Sequence, residues 1–183
     1  MVKIVQIDWK KEDREQRMDE SSILRQEAKV VKKEEFGTVE LRKILDDMKT
    51  AMDRESDGVA IAAPQIGIGK RIFVIKEDAY KIKGETAKWK PLIFINPKIV
   101  KVSKKMIEAD EGCLSVRPLY GTTLRHTNVT IEAYDFNGTK FTYGASSLIA
   151  HIFQHECDHL DGILFIDHAK NIQEIDLEKE KVK

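Results

Sequence analysis

At 183 residues, 42% hydrophobic and 34% charged, the chain is long enough to form one domain with a core of its own. Its 31 basic and 31 acidic residues cancel, so no global field draws it to nucleic acid or an anionic membrane, and neither is an expected partner. Two cysteines are too few for a disulfide framework, and no apolar run reaches signal-peptide or membrane-spanning length, which predicts a cytoplasmic protein.

Val2 to Ile7 alternates apolar and polar and predicts a short strand, and the charge-rich Asp8 to Ser22 predicts a solvated loop or surface helix. From Thr38, a residue suited to an N-cap, Leu41, Ile44, Leu45, Met48 and Met52 recur at helical spacing, with Asp57-Gly58 marking the exit. That is an N-terminal core helix. Val59 to Ala63, closed by Pro64, reads as a buried strand entering an irregular loop. Arg71 to Lys76 and Leu92 to Ile95 are β-rich, Asn96-Pro97 stops the second, and Lys98 to Val102 alternates like a half-buried strand. The polar stretch Lys83 to Lys90 between them predicts a surface excursion, not a domain boundary. Asn128 to Asp135 and Thr139 to Tyr143 flank Asn137-Gly138, a two-residue hairpin signal. Ser146 or Ser147 can cap a last helix with the stripe Leu148, Ile149, Ile152, Phe153 and Leu160, and Gly162 suits its left-handed C-cap. Lys170 to Lys183 predicts a short helix or frayed tail. Periodicity therefore gives an α+β fold in one domain over 1–183, with a variable segment at 1–23 and a charged tail at 168–183.

The last helix carries Gln154-His155-Glu156-Cys157-Asp158-His159. Residues four apart lie one turn apart on one helix face, so His155 and His159 can share a metal ion. Glu156 beside them is the natural group to take a proton from a metal-bound water. A catalytic site with one open position needs a third protein ligand. Cys113, in the glycine-flanked segment Glu111-Gly112-Cys113-Leu114-Ser115, fits better than Cys157, which sits about 200° around the helix from the shared face and is expected in the core. His151 and His159 lie about 12 Å apart along the axis, too far for one ion. His126 and His168 lack a partner at ligand spacing. None of these three is assigned a role.

A third stretch, Gly58-Val59-Ala60-Ile61-Ala62-Ala63-Pro64-Gln65, joins the other two in a recognisable order. Together they resemble the signature motifs of the peptide deformylases, and the likeness spans roughly Leu24 to Asp167, continuing through Asp161-Gly162-Ile163-Leu164-Phe165. The resemblance implies antiparallel sheets around a central C-terminal helix bearing the histidines. It implies a metal-dependent hydrolase that removes the formyl group from N-formylmethionine at the start of new polypeptides and releases formate. In the family a ferrous ion sits at the positions of Cys113, His155 and His159, whereas the ligand types alone suggest zinc. Glu156 would act as base and then acid, and the Gln65 amide with the Leu114 backbone N–H would meet the oxyanion. Gly58, Val59, Ala60 and Gly112 would line an extended peptide substrate. The implied partners are N-formylmethionyl peptides and the ribosome near the nascent-chain exit, with the enzyme itself a monomer.

Ala60 departs from the family pattern, which has glycine there, and bears on specificity and efficiency. Two rival readings remain. One is a His-Glu-x-x-His metallopeptidase, whose third ligand generally comes from downstream of the helix. The other is a non-catalytic domain with a closed structural metal site, which needs neither Glu156 nor oxyanion donors.

Overall fold

Alternating apolar residues in the middle of the chain build a five-stranded antiparallel sheet, and the two amphipathic runs cover its two faces. A computed structural model of the chain describes residues 2–7, 22–80 and 92–175. The helices are α1 (Val39–Asp53) and α2 (Ser147–Leu160), and the strands are β1 (Ala60–Ala62), β2 (Ile72–Ile75), β3 (Ile93–Val102), β4 (Met106–Gly112), β5 (Leu119–His126), β6 (Asn128–Tyr134), β7 (Lys140–Ser146) and β8 (Lys170–Glu174). The larger sheet runs in the order β1-β2-β3-β6-β7, and a second sheet runs β4-β5-β8.

Strand alternation sends successive side chains to opposite faces, and each face has its own helix. Ala60, Ala62, Phe73, Ile75 and Phe94 pack with Ile149, Ile152, Phe153 and Leu160 of α2. Ile61, Ile72, Val74 and Ile95 pack with Leu41, Leu45, Met48 and Met52 of α1. Burying each of these large side chains is worth about 1.5–3 kcal/mol, so the paired faces dominate the fold's stability. The α+β class and the central histidine-bearing helix are as expected. Among the described residues no helix is long and apolar enough to cross a membrane.

Helix α1 starts where predicted: the Thr38 hydroxyl accepts from the Leu41 N–H at 3.2 Å. It ends at Asp53, four residues before the predicted exit, because the Arg54 and Glu55 N–H groups turn back onto the Met52 carbonyl. At the start of α2, Ser146 occupies the N-cap position but its side chain makes no capping bond. Gly162 has φ 74°, and a Cβ there would meet the Arg25 carbonyl oxygen at 2.7 Å, so the predicted left-handed C-cap also needs glycine for space.

Four expectations are corrected. Ile93 to Val102 is one strand, because Asn96 at φ 49° absorbs the irregularity as a register shift within the β3–β6 ladder. The β6–β7 hairpin closes through three residues, not two: Gly138 donates to the Asp135 carbonyl at 3.1 Å, and within the loop only Gly138 has a positive φ, 81°. Lys170–Glu174 is a strand, paired to β5 at Leu119↔Glu174 and Tyr120↔Gln173. Residues Val2 to Ile7 enter no strand ladder among the described residues; their backbone bonds go to loops instead. The predicted loops at Asp8 to Ser22 and Lys83 to Lys90 fall on 8–21 and 81–91, outside the described residues, apart from Ser22, which opens a 3-10 turn.

Candidate metal centre

Helix α2 lies with Leu148, His151, Ile152, His155 and Glu156 along one side of a cleft of about 230 Å³, whose other walls are Asp57 to Ala60 and Asp110 to Leu114 with Tyr120. That is several times the roughly 30 Å³ a water molecule occupies, enough for the end of a peptide. All the substrate-lining residues expected from sequence, Gly58, Val59, Ala60 and Gly112, face this cleft.

At its floor one ligand atom each from Cys113, His155 and His159 lies within 4.8 Å of the others, the only such group of His, Cys, Asp or Glu among the described residues. Cys113 Sγ sits 3.1 Å from His159 Nε2. His155 turns Nδ1 to Glu111 Oε2 at 3.0 Å, which fixes the ring. Burial, reinforced by the neighbouring His155, holds the His159 pKa well below the usual imidazole range and keeps it a neutral donor. Burial opposes a charge on His155 too, but Cys113 and Glu111 outweigh it and raise its pKa. The Glu111 carboxylate also favours a cation at that point. A thiolate and two imidazoles, grouped this closely, fit a divalent metal. Cys157 is buried among core side chains, its thiol pushed up by desolvation, and takes no part in the cluster.

Glu156 is 3% exposed and lines the same cleft, and its Oε2 is buried without a hydrogen-bond partner. Burial, with Glu111 and Asp158 adding to it against the pull of His155, raises its pKa to about 7. Gln65 is also buried. Its Oε1 accepts from the Ala62 N–H at 2.8 Å, while Nε2 donates to Ser115 Oγ at 3.2 Å and approaches Cys113 Sγ at 3.6 Å. One end of the amide is therefore pinned and the other is presented to the metal ligands. Leu114 follows Cys113 and lines the cleft.

Three residues with no assigned role in the sequence reading support this floor. Glu111 is buried and accepts from Arg125 Nε at 2.7 Å, Arg125 Nη2 at 3.0 Å and Thr123 Oγ1 at 2.7 Å. Burial alone would raise its pKa, but bonds from His151, His155 and Arg125 hold it far below the usual carboxylate range. Arg125 reaches on to Asp158 at 2.7 Å. His151, rejected as a ligand and absent from the cluster, instead bonds Glu111 Oε1 and lines the cleft. The signal for this network was period-two parity: Leu119, Gly121, Thr123 and Arg125 share the inward face of β5, where an arginine demands a buried acid. His126 binds the Ser103 carbonyl through Nδ1 at 2.6 Å, and His168 lies 3.9 Å from Asp158; neither joins the metal ligands.

Comparison with known proteins agrees with this geometry. Residues 15–174 match the family model described as polypeptide deformylase. The chain is 42% identical over 156 residues to peptide deformylase 2 of Clostridium acetobutylicum, spanning 84% of this chain and 93% of that protein. It is 39% identical over 150 residues to a peptide deformylase of Desulforudis audaxviator, spanning 82% and 89%. A class I type b peptide deformylase from Acinetobacter baumannii, solved with Met-Ala-Ser bound, superposes with a TM-score of 0.71 at 31% identity, over 80% of this chain and 93% of that one. A plant peptide deformylase does so at 0.73 and 34%, over 93% and 81%. The fold, the Cys/His/His cluster and these matches agree: the chain belongs to the peptide deformylase family.

Proposed function

We propose that this protein, acting over its whole length as one catalytic domain, hydrolyses the formamide of N-formylmethionyl peptides. The observation that carries this reading is Glu156, buried and unpartnered at Oε2 beside the Cys113, His155 and His159 cluster on the cleft floor. The peptide-bound relative supports the substrate class, since Met-Ala-Ser is what remains once a formyl group has left.

Cys113, His155 and His159 would hold a ferrous ion, with zinc as a substitute. Such an ion lowers the pKa of a bound water to about 7 and polarises a carbonyl. Glu156 takes the proton of the attacking water as the water oxygen bonds to the formyl carbon. Its raised pKa makes it a stronger base than an exposed glutamate and leaves it able to donate at neutral pH. As the C–N bond breaks, Glu156 gives that proton to the amine, and the products are formate and a free N-terminus. The Gln65 amide and the Leu114 N–H donate to the carbonyl oxygen as negative charge develops there, each such donor being worth about 3 kcal/mol. Gly58, Val59, Ala60 and Gly112 flank the peptide. A Cβ at residue 112 would stand 2.5 Å from the Tyr120 ring, so a larger residue there would have to displace that ring. In this reading the enzyme works as a cytoplasmic monomer on chains leaving the ribosome.

The test is formate release from formyl-Met-Ala-Ser with ferrous ion under exclusion of oxygen, beside acetyl-Met-Ala-Ser and a longer N-blocked peptide. Formate from the first, without cleavage of internal amides, is expected. Cleavage of the internal amides alone would favour the metallopeptidase reading. That rival is already weakened, because the third member of the cluster is Cys113, upstream of α2.

A further inference from the structure

The two segments assigned to the oxyanion belong to different sheets. Gln65 follows β1 of the five-stranded sheet, and Leu114 follows β4 of the three-stranded one; among the described residues no ladder joins the two sheets. Sheet pairing therefore does not set the separation of the two donors. Besides the direct bond from Gln65 Nε2 to Ser115 Oγ, the N-terminal segment bridges the two backbones. Val5 donates its N–H to the Gln65 carbonyl at 2.8 Å, and Ile7 donates to the Ser115 carbonyl at 2.9 Å. Between them the Gln6 side chain donates Nε2 to the Leu114 carbonyl at 2.8 Å. Ile7 is anchored by burial against Cys113, Val116, Leu119 and Phe165, and Arg54 bonds the Val2 carbonyl at 3.1 Å.

We infer that Val5 to Ile7 is a strap that sets the distance between the Gln65 and Leu114 donors, and that Gln6 is the positioning residue through which it holds Leu114. This rests on the oxyanion roles proposed above. Donors preorganised on separate segments are effective only when held within about 0.5 Å of the productive geometry. Gln6 suits that task without serving the core, since residue 6 is exposed and its side chain bonds the peptide unit next to the donor. Its loss should move Leu114 while leaving the fold intact.

The test compares Gln6→Glu, Gln6→Lys and Gln65→Ala, each with full metal content, on formyl-Met-Ala-Ser. Gln6→Glu is isosteric but turns an acceptor toward the Leu114 carbonyl, and should lower kcat about tenfold, the size of one ordinary hydrogen bond. KM and the melting temperature should stay at their wild-type values. Gln6→Lys keeps a donor and should recover most of the loss. Equal losses in the two Gln6 variants, a loss confined to KM, or a loss that tracks a lowered melting temperature would each overturn the proposal. If Gln65→Ala is impaired while Gln6→Glu turns over normally, only the strap is refuted. If Gln65→Ala keeps wild-type kcat, the oxyanion assignment fails and the strap with it.

Discussion

Replacing Glu111 by glutamine removes one charge and half of an acceptor array without changing side-chain volume. The glutamate takes Arg125 Nε, Thr123 Oγ1 and His151 Nε2 on one oxygen, and Arg125 Nη2 and His155 Nδ1 on the other. A glutamine oxygen can keep the first three, but its NH2 group then faces two donors, each 3.0 Å from the oxygen it replaces. Breaking a buried ion pair by removing one partner costs about 3–5 kcal/mol. Asp158, 2.7 Å from Arg125 Nη1, keeps that guanidinium from being bare and places the loss near about 3 kcal/mol. In a domain of this size that is a fall of about 6–12 °C in melting temperature. His155 also loses the carboxylate that orients it, which should weaken metal binding about 10- to 100-fold. Thermal melts of the metal-free and metal-loaded variant, with chelator competition for affinity, give both numbers. A melting temperature within about 2 °C of wild type and an affinity within about threefold would show that the network does not support the metal ligands.

Cys113→Ala, His155→Ala and His159→Ala should each lose most bound metal, whereas Cys157→Ala and His151→Ala should keep it; metal analysis of the five purified variants decides, and the reverse result for the two cysteines would displace the assigned site. Glu156→Gln should keep metal and fold but lose about 10²- to 10⁴-fold or more in kcat, since one residue serves both proton transfers, and Gln65→Ala should lose about 10²- to 10³-fold. A Glu156→Gln variant with a tenth of wild-type turnover would rule out the assigned base. Ala60 faces the cleft from the edge strand β1, so Ala60→Gly should lower KM more than it raises kcat while costing roughly 0.5–1 kcal/mol of stability; an unchanged KM would place the methyl group clear of the substrate. Metal affinity should weaken as pH falls, because a proton on His155, whose pKa is raised, competes with the cation; chelator competition that gives equal affinities at pH about 8 and about 6 would contradict this.

Local periodicity was enough to determine α1, α2 and the β6–β7 hairpin, because each buries a face that repeats at 3.6 or 2 residues within one short stretch. The helical spacing also made His155, Glu156 and His159 legible as a set, and the motif order pointed to Cys113, Gln65 and Leu114. Tertiary structure decided what depends on partners distant in the chain. Strand β8 is exposed along its whole length and is held by backbone bonds to β5, so it has no apolar alternation to read. Strands β4 and β5 form the Glu111–Arg125 pair only once Glu111↔Gly121 sets their register. His151 could be dismissed as a metal ligand by distance along its own helix, but its bond to Glu111 depends on where β4 lies against α2. The strap from Val5 to Ile7 alternates like a strand, yet its partners are the Gln65 and Ser115 loops, brought beside it only by packing of the two sheets. Residue spacing along one element fixes which side chains share a face; which face meets them is fixed by the burial and hydrogen bonding of the assembled chain.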